Sequence, residues 1–222
     1  MSAWHEETEV RPEVGRLVRL VGHDIRGKLG IIKNSVYYLG MKVDRENPKI
    51  AKHLGILERE IKACNDLVVL LMDWLAPKQP QKTPVDVNAL LQEILGDYAP
   101  SGVQVTLALK PGLPQAVVDA FHLREVLESI LRYRLAVLGE GDSLQIISRG
   151  DGPVYIDFID SGDGFQREEL DDLLAVEQRD ELFPFRLGLA VAQRLLRLNG
   201  GVLEGESKKG IGTRLSVALP TS

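Results

Sequence analysis

Apolar residues in the first third of the chain repeat at the spacing of a helix packed in a bundle. The gaps alternate between four and three residues along Ile50, Leu54, Leu57, Ile61, Cys64, Val68, Leu71 and Leu75. This a/d repeat predicts a helix with one face buried against other helices, and it makes Cys64 a core residue. The pair Asn47-Pro48 predicts the start of this helix, because asparagine caps helices and proline suits the first helical position.

A similar stripe comes earlier in the chain, at Val14, Val18, Val21, Ile25, Leu29, Ile32, Val36 and Leu39. An extra four-residue step between Val21 and Leu29 locally unwinds a supercoil. Two helices of about 30 residues, joined by a turn near residues 43–47, predict an antiparallel hairpin. Because one hairpin cannot bury so long a stripe, we expect a homodimer that forms a four-helix bundle.

His23 lies off this stripe. It is two residues from both Val21 and Ile25, which places it about 200° around the helix from each. We therefore expect His23 to face away from the seam, followed directly by the acidic Asp24. Three poor helix formers surround the pair: Gly22, Gly27 and Gly30. His23 is either an incidental side chain on a weak helix or the residue that reacts.

The hydrophobic pattern changes after a proline-rich stretch, from two long helices to alternating strands and helices. Residues 77–84 predict a linker between a helical domain at 1–76 and an α/β domain at 85–222. Strands are predicted at 103–110, 116–120, 143–149, 154–160, 201–207 and 213–220, and helices at 120–138, 166–176 and 187–199. In strand 154–160, Val154, Ile156 and Phe158 alternate with Tyr155 and Asp157. The pattern predicts a mixed sheet covered by helices.

Composition excludes several classes of function. A net charge of −5 gives no electrostatic case for a nucleic-acid partner. No apolar run approaches the ~20 residues of a membrane helix, and the acidic amino terminus lacks a signal-peptide pattern. A single cysteine fits a reducing compartment. We expect a cytoplasmic protein without membrane insertion.

Two glycine clusters lie at strand ends. Asp160-Ser-Gly-Asp-Gly164 follows one predicted strand, and Lys209-Gly-Ile-Gly-Thr213 precedes the last. Such loops admit a ligand close to the backbone, although plain turns use the same residues. Three further segments accompany these loops: GHDIRGKLGIIKNSVYYL, DAFHLREVLESILRYRLAVL and RLGLAVAQRLLRLNGG. In their order along the chain, the five segments resemble the motifs of the catalytic core of two-component sensor histidine kinases.

This resemblance implies a helical-hairpin phosphotransfer domain followed by an ATP-binding α/β sandwich of the histidine kinase, Hsp90 and gyrase type. His23 would take the γ-phosphoryl group of ATP, Asp24 would orient its ring and accept its proton, and Asp160 would accept a hydrogen bond from the adenine amino group. The other nucleotide-binding residues would be Gly162, Gly164, Gly188, Leu189, Gly210, Gly212 and Thr213. The implied partner is a response-regulator receiver domain. The signal would come either from a separate sensor protein or from further domains of a longer protein of which this chain is a fragment.

The sequence departs from the family in DAFHLREVLESILRYRLAVL, which stands in the place of the N-box helix. That helix normally supplies two asparagines four residues apart, and the second coordinates Mg²⁺. Ser129 and Tyr133 stand at those positions, and neither is a good Mg²⁺ ligand. Glu128 could hold the metal, Arg132 and its basic neighbour Arg134 could neutralise phosphate, or the metal site is lost. These three alternatives leave Mg²⁺ open as a cofactor.

Two further departures concern activity. The stretch between Gly164 and Gly188 is shorter than the usual ATP lid, and Gly27 stands where the family places the residue used for phosphatase activity. We therefore expect weak phosphatase activity and a histidine kinase whose autokinase activity is weak. The alternative is a histidine phosphotransferase that receives its phosphoryl group from another protein and retains a relic nucleotide domain.

Overall fold

The computed structural model describes residues 12–43, 47–97, 102–165 and 183–221. The chain divides into two compact units, one ending at Lys78 and the other beginning at Gln79. This division falls inside the stretch that the sequence predicts as a linker.

The first unit is an antiparallel helical hairpin, as predicted. Helix α1 spans Pro12–Lys42 and helix α2 spans Pro48–Leu75. Asn47 caps α2 by accepting a hydrogen bond from the Lys49 backbone N–H at 3.1 Å, which confirms the predicted start. None of the helices in the described ranges is long and apolar enough to cross a membrane.

The apolar stripes of the hairpin divide into an inner and an outer set. In α1, Val36 is buried against α2, and Val18 and Leu29 are partly buried. The outer set stays exposed and consists of Val21, Ile25, Ile32 and Leu39 in α1 with Leu57, Cys64 and Leu71 in α2. The prediction that Cys64 is a core residue is therefore wrong for the hairpin taken by itself.

The second unit is an α/β sandwich. It begins with strand β1 at Thr83–Val85, helix α3 at Val87–Asp97, strand β2 at Gln104–Leu109, strand β3 at Ala116–Val118 and helix α4 at Ala120–Val137. Strands β4 at Ser143–Arg149 and β5 at Val154–Asp160, helix α5 at Phe183–Asn199, and strands β6 at Val202–Lys208 and β7 at Gly212–Leu219 complete the described part.

Five strands form one mixed sheet in the order β2-β4-β5-β7-β6. Strands β2 and β4 run parallel, and the other neighbours are antiparallel. Val154, Ile156 and Phe158 of β5 are buried, and Asp160 shares their side of the strand because side chains alternate. The predicted mixed α/β domain is thus confirmed, with the carboxylate of Asp160 at the end of a central strand.

Two parts of this unit differ from the sequence prediction. Residues 83 and 84 were predicted as linker but belong to β1, where Thr83 pairs with Val118 and Pro84 with Val117 of β3. Helix α3 was not predicted at all. The predicted helix at 166–176 lies outside the described residues.

Asp157, which alternates with the apolar residues along β5, is also buried and is 2% exposed. Arg149 and Arg214 lie 2.7 and 2.9 Å from its carboxylate, and the Ser216 hydroxyl donates to it. Burial alone would raise the pKa of Asp157, but these hydrogen bonds outweigh burial and lower it. The face of β5 opposite the apolar core therefore contains a buried charge with its own partners.

Asp119 joins three parts of the second unit. Its carboxylate caps α4 by accepting from the backbone N–H groups of Phe121 and His122, and it also accepts from Gln81 N at 2.8 Å. Its own backbone N–H donates to the Asn199 side chain at the end of α5. Burial alone would raise the pKa of Asp119, but the hydrogen bonds from Gln81 and His122 outweigh burial and lower it.

We predict that Asp119 makes folding stability fall in acid. A carboxyl group with a lowered folded-state pKa contributes stability above its ordinary pKa of about 3.8 and loses it as the pH falls through the folded value. Asp119→Asn should keep the helix cap while flattening the loss of unfolding free energy between about pH 5 and pH 2. Asp119→Ala should also lose about 1 kcal/mol at neutral pH. Urea unfolding across this pH range measures both effects, and identical profiles for all three proteins would contradict the assignment.

Candidate functional site

His23 is an exposed residue in the middle of α1. At about 100° per residue, His23 and Ile32 lie on opposite sides of the helix. The outer apolar set can therefore be covered by another helix while the His23 ring remains open to a reaction partner. The prediction that His23 faces solvent away from the outer set is confirmed.

Asp24 is exposed beside His23 and lies 3.9 Å from the Lys28 ammonium, one turn later. Adjacent helical residues project in different directions, and no hydrogen bond joins Asp24 to His23 among the described contacts. The orienting role of Asp24 remains a prediction of the family resemblance.

The glycines around His23 have two different environments. Gly22 is buried, and a Cβ atom built on it would lie 2.3 Å from the Met72 sulfur and 2.7 Å from its Cγ. Gly27 and Gly30 have no atom within 4 Å of such a Cβ. Gly22 therefore allows the close packing of α1 on α2, whereas Gly27 leaves the helix surface one turn after His23 without a side chain.

The second candidate site is the buried carboxylate of Asp160. One of its oxygens accepts hydrogen bonds from the backbone N–H groups of Gly162, at 3.0 Å, and Thr213, at 3.3 Å. These donors come from the two glycine loops that the sequence singled out. Asp160 thus holds the loop after β5 against the start of β7, and Leu189, on α5, is fully buried in the same unit.

The other oxygen of Asp160 is occupied by Arg134. The Arg134 Nη2 atom lies 2.5 Å from Asp160 Oδ2, and the side chains are 2% and 0% exposed. The guanidinium also lies 5.4 Å from the ring centre of Tyr133 and 6.0 Å from that of Phe165. Sequence reasoning treated Arg134 only as a group near phosphate, so this ion pair was missed.

The glycine loops pack mainly on each other. A Cβ atom on Gly164 would lie 2.3 Å from the Lys208 carbonyl oxygen, and one on Gly212 would lie 2.0 Å from the Asp160 carbonyl oxygen. Both residues also have positive φ, at +64° and +132°, which favours glycine. The close backbone approach predicted for a nucleotide is made here by the protein itself.

The remaining predicted residues of these motifs also contact protein atoms. A Cβ on Gly162 would lie 2.8 Å from Leu138 Cδ2, and one on Gly188 would lie 3.4 Å from the Ser129 hydroxyl. The Gly210 N–H donates to the Asp163 carbonyl oxygen at 2.6 Å. Thr213 shares a hydrogen bond of 2.8 Å with Ser207.

Helix α4 does not form a metal site in the part of the chain that the structure describes. The Glu128 carboxylate lies 3.6 Å from Arg124 and 3.3 Å from Arg132, so two cations already compensate its charge. The Ser129 hydroxyl donates to Glu125, and Tyr133 is 1% exposed. No group of three or more potential metal ligands occurs among the described residues. This arrangement does not fit Mg²⁺ at Glu128.

Comparison with known proteins gives the class. A family model described as "Histidine kinase-, DNA gyrase B-, and HSP90-like ATPase" matches residues 119–222. The full-length ShkA structure in complex with AMPPNP aligns with 93% of this chain and 46% of that chain, with a TM-score of 0.78 and 20% identity. The histidine kinase ThkA, solved with response regulator TrrA, aligns with 94% of this chain and 62% of that chain, with a TM-score of 0.64 and 16% identity. Residues 119–222 therefore match the model of this ATPase family, and the solved structures share the fold.

Most of the chain is similar in sequence to sensor histidine kinases. It is 27% identical over 217 residues to the sensor histidine kinase ZraS of Klebsiella oxytoca, covering 94% of this chain and 46% of that protein. It is also 27% identical over 221 residues to sporulation kinase D of Bacillus subtilis, covering 94% of this chain and 42% of that protein. The chain thus spans less than half the length of these relatives.

We predict that alanine stabilises the hairpin less at Gly22 than at Gly27. Both changes gain helix propensity, but Gly22→Ala requires the flexible end of the Met72 side chain to move. The free energy of unfolding should be up to about 1 kcal/mol lower for Gly22→Ala than for Gly27→Ala. Thermal and chemical unfolding measure the difference, and equal stabilities would contradict the packing role of Gly22.

Proposed function

We propose that this chain acts in two-component signalling, with His23 carrying a phosphoryl group to an aspartate of a response-regulator receiver domain. The exposed His23 on the hairpin of a sensor-kinase homologue carries this proposal. The unprotonated nitrogen of a neutral imidazole attacks phosphorus, and a P–N bond forms as the donor oxygen leaves with the electron pair of the broken P–O bond. The proton of the other ring nitrogen passes to Asp24 or to water. In the second step the receiver carboxylate attacks phosphorus, the P–N bond breaks, and the imidazole leaves as it takes a proton back.

The reaction surface is proposed to form on a homodimer. The outer sets of α1 and α2 leave apolar side chains exposed along one hairpin, and Leu57, Cys64 and Leu71 follow a seven-residue spacing that suits a second helix pair. Pairing two hairpins through these residues would bury them in a four-helix bundle. His23 would stay on the outside, since it lies opposite the outer set of α1.

The family and the kinase relatives favour ATP as the source of the phosphoryl group. In this account the chain is a histidine kinase whose autokinase activity is weak. Its phosphatase activity is also proposed to be weak, because Gly27 supplies no functional group one turn after His23 and the Lys28 side chain interacts with Asp24.

The second candidate is a phosphotransferase that receives its phosphoryl group from another phosphorylated protein. Asp160, the adenine-binding residue implied by the family resemblance, is ion-paired with Arg134, and Glu128 lies between two arginines. In these arrangements, neither the Asp160 nor the Glu128 carboxylate is available to Mg-ATP. Both candidates require His23, and they differ in the donor.

We predict that His23 is the only phosphorylated residue in either reaction. The full chain is incubated with γ-labelled ATP and Mg²⁺, or with receiver domains of the source organism charged by acetyl phosphate. Acid-labile label should appear on the wild type and be lost completely in His23→Ala. Lys33→Ala, an exposed change on the same helix, is the matched control and should keep the label.

The two donors are separated by Asp160→Asn. Label that comes from ATP and is lost in this variant supports the kinase, whereas label that comes only from a charged receiver, and persists in this variant, supports the phosphotransferase. Label from neither donor, or equal label in His23→Ala, would contradict the proposed function.

A further inference from the structure

We propose that Arg134 closes the adenine site of the second unit by occupying the carboxylate that would recognise the base. The proposal deepens the proposed function, because it uses the role in adenine recognition that the family assigns to Asp160. Nucleotide can bind only when the guanidinium leaves Asp160. Arg134 therefore keeps the nucleotide site of the wild-type chain closed.

The carboxylate of Asp160 has little capacity left for a ligand. An ionised carboxylate accepts about four hydrogen bonds, and three donors already reach Asp160: Gly162 N, Thr213 N and Arg134 Nη2. The side chain of Asp160 is fully buried by these contacts. An adenine amino group must donate to the same carboxylate, so it competes directly with the guanidinium.

The surroundings of Arg134 resemble a pocket for a flat polar group. The guanidinium is planar, and it lies near the rings of Tyr133 and Phe165, at 5.4 and 6.0 Å from their centres. A planar donor held near aromatic rings and hydrogen-bonded to a carboxylate reproduces the chemical features of a bound purine edge. Arg134 thus supplies from within the chain what a nucleotide would supply from solution.

The Arg134 guanidinium has incomplete hydrogen bonding, and this makes it easier to displace from Asp160. The Arg134 Nε and Nη1 atoms are buried and have no hydrogen-bond partner in the described part of the chain. Buried donors without acceptors are costly, so the ion pair with Asp160 must retain Arg134 against this cost. Removing the guanidinium should open the site while leaving the loop hydrogen bonds of Asp160 in place.

The test measures nucleotide binding by the full chain. ADP and AMPPNP are titrated calorimetrically into the wild type, Arg134→Ala, Arg134→Lys and Arg134→Ala/Asp160→Asn, with and without Mg²⁺. We expect only weak binding by the wild type and by Arg134→Lys, which keeps a cation at Asp160. Arg134→Ala should gain at least about tenfold in affinity and be stabilised against heat by ADP. The double variant should lose this gain.

Two results would overturn the proposal: wild-type affinity within about threefold of Arg134→Ala, or folded Arg134→Ala with no gain in binding. If Arg134→Ala does not fold, Arg134→Ser carries the same test, because its short side chain also removes the guanidinium from Asp160. A crystal structure with ADP bound beside an intact Arg134–Asp160 pair would also contradict the proposal.

Phosphorylation of His23 by a charged receiver is measured separately. A wrong assignment of Arg134 can therefore be distinguished from a wrong proposed function.

Discussion

The second unit depends on how the buried carboxylate of Asp160 is satisfied. A charge that leaves water must find hydrogen bonds and a counter-charge, or its group must become neutral. Asp160 obtains hydrogen bonds from the two glycine loops and a counter-charge from Arg134. This one side chain therefore joins the end of β5, the start of β7 and the last turns of α4.

That arrangement separates the two sites of the chain. The hairpin presents His23 to solvent opposite the exposed apolar residues that a second copy would cover. The sandwich has the fold of an ATPase family, and its arginines pair with Asp160 and Glu128, the acids proposed for adenine and metal. A chain of this kind can retain phosphoryl transfer at His23 while its nucleotide chemistry is restrained by its own side chains.

Local patterns predicted most of the fold. The hairpin follows from its four-three spacing, and Asn47 marks the start of α2 through a capping bond that acts within one turn. Helix α3 is short and directly follows a proline-rich stretch, although the buried Val87, Leu90, Leu91 and Ile94 have a helical spacing that could have predicted it. The spacing predicts a core position for Cys64 because it does not distinguish apolar residues that pack inside one hairpin from those that stay exposed on its surface.

The Arg134–Asp160 pair could not be read from either residue alone, because they are 26 positions apart and belong to different elements. One signal was available: Arg134 continues the spacing of the buried Leu123, Leu127 and Ile130 along α4. A charged residue in an apolar stripe requires a buried partner of opposite charge. Asp160, at the end of a buried strand, was the acid that could provide it.

The account is tested most directly by a double-mutant cycle on the unfolding of the full chain, using Arg134→Met, Asp160→Asn and the two together. Each single change should be strongly destabilising, since it leaves one member of a buried pair alone. The double variant should be less destabilised than the sum of the two, with a coupling of about 1–3 kcal/mol. Effects that add within about 0.5 kcal/mol would show that the two side chains do not depend on each other, and would contradict the account.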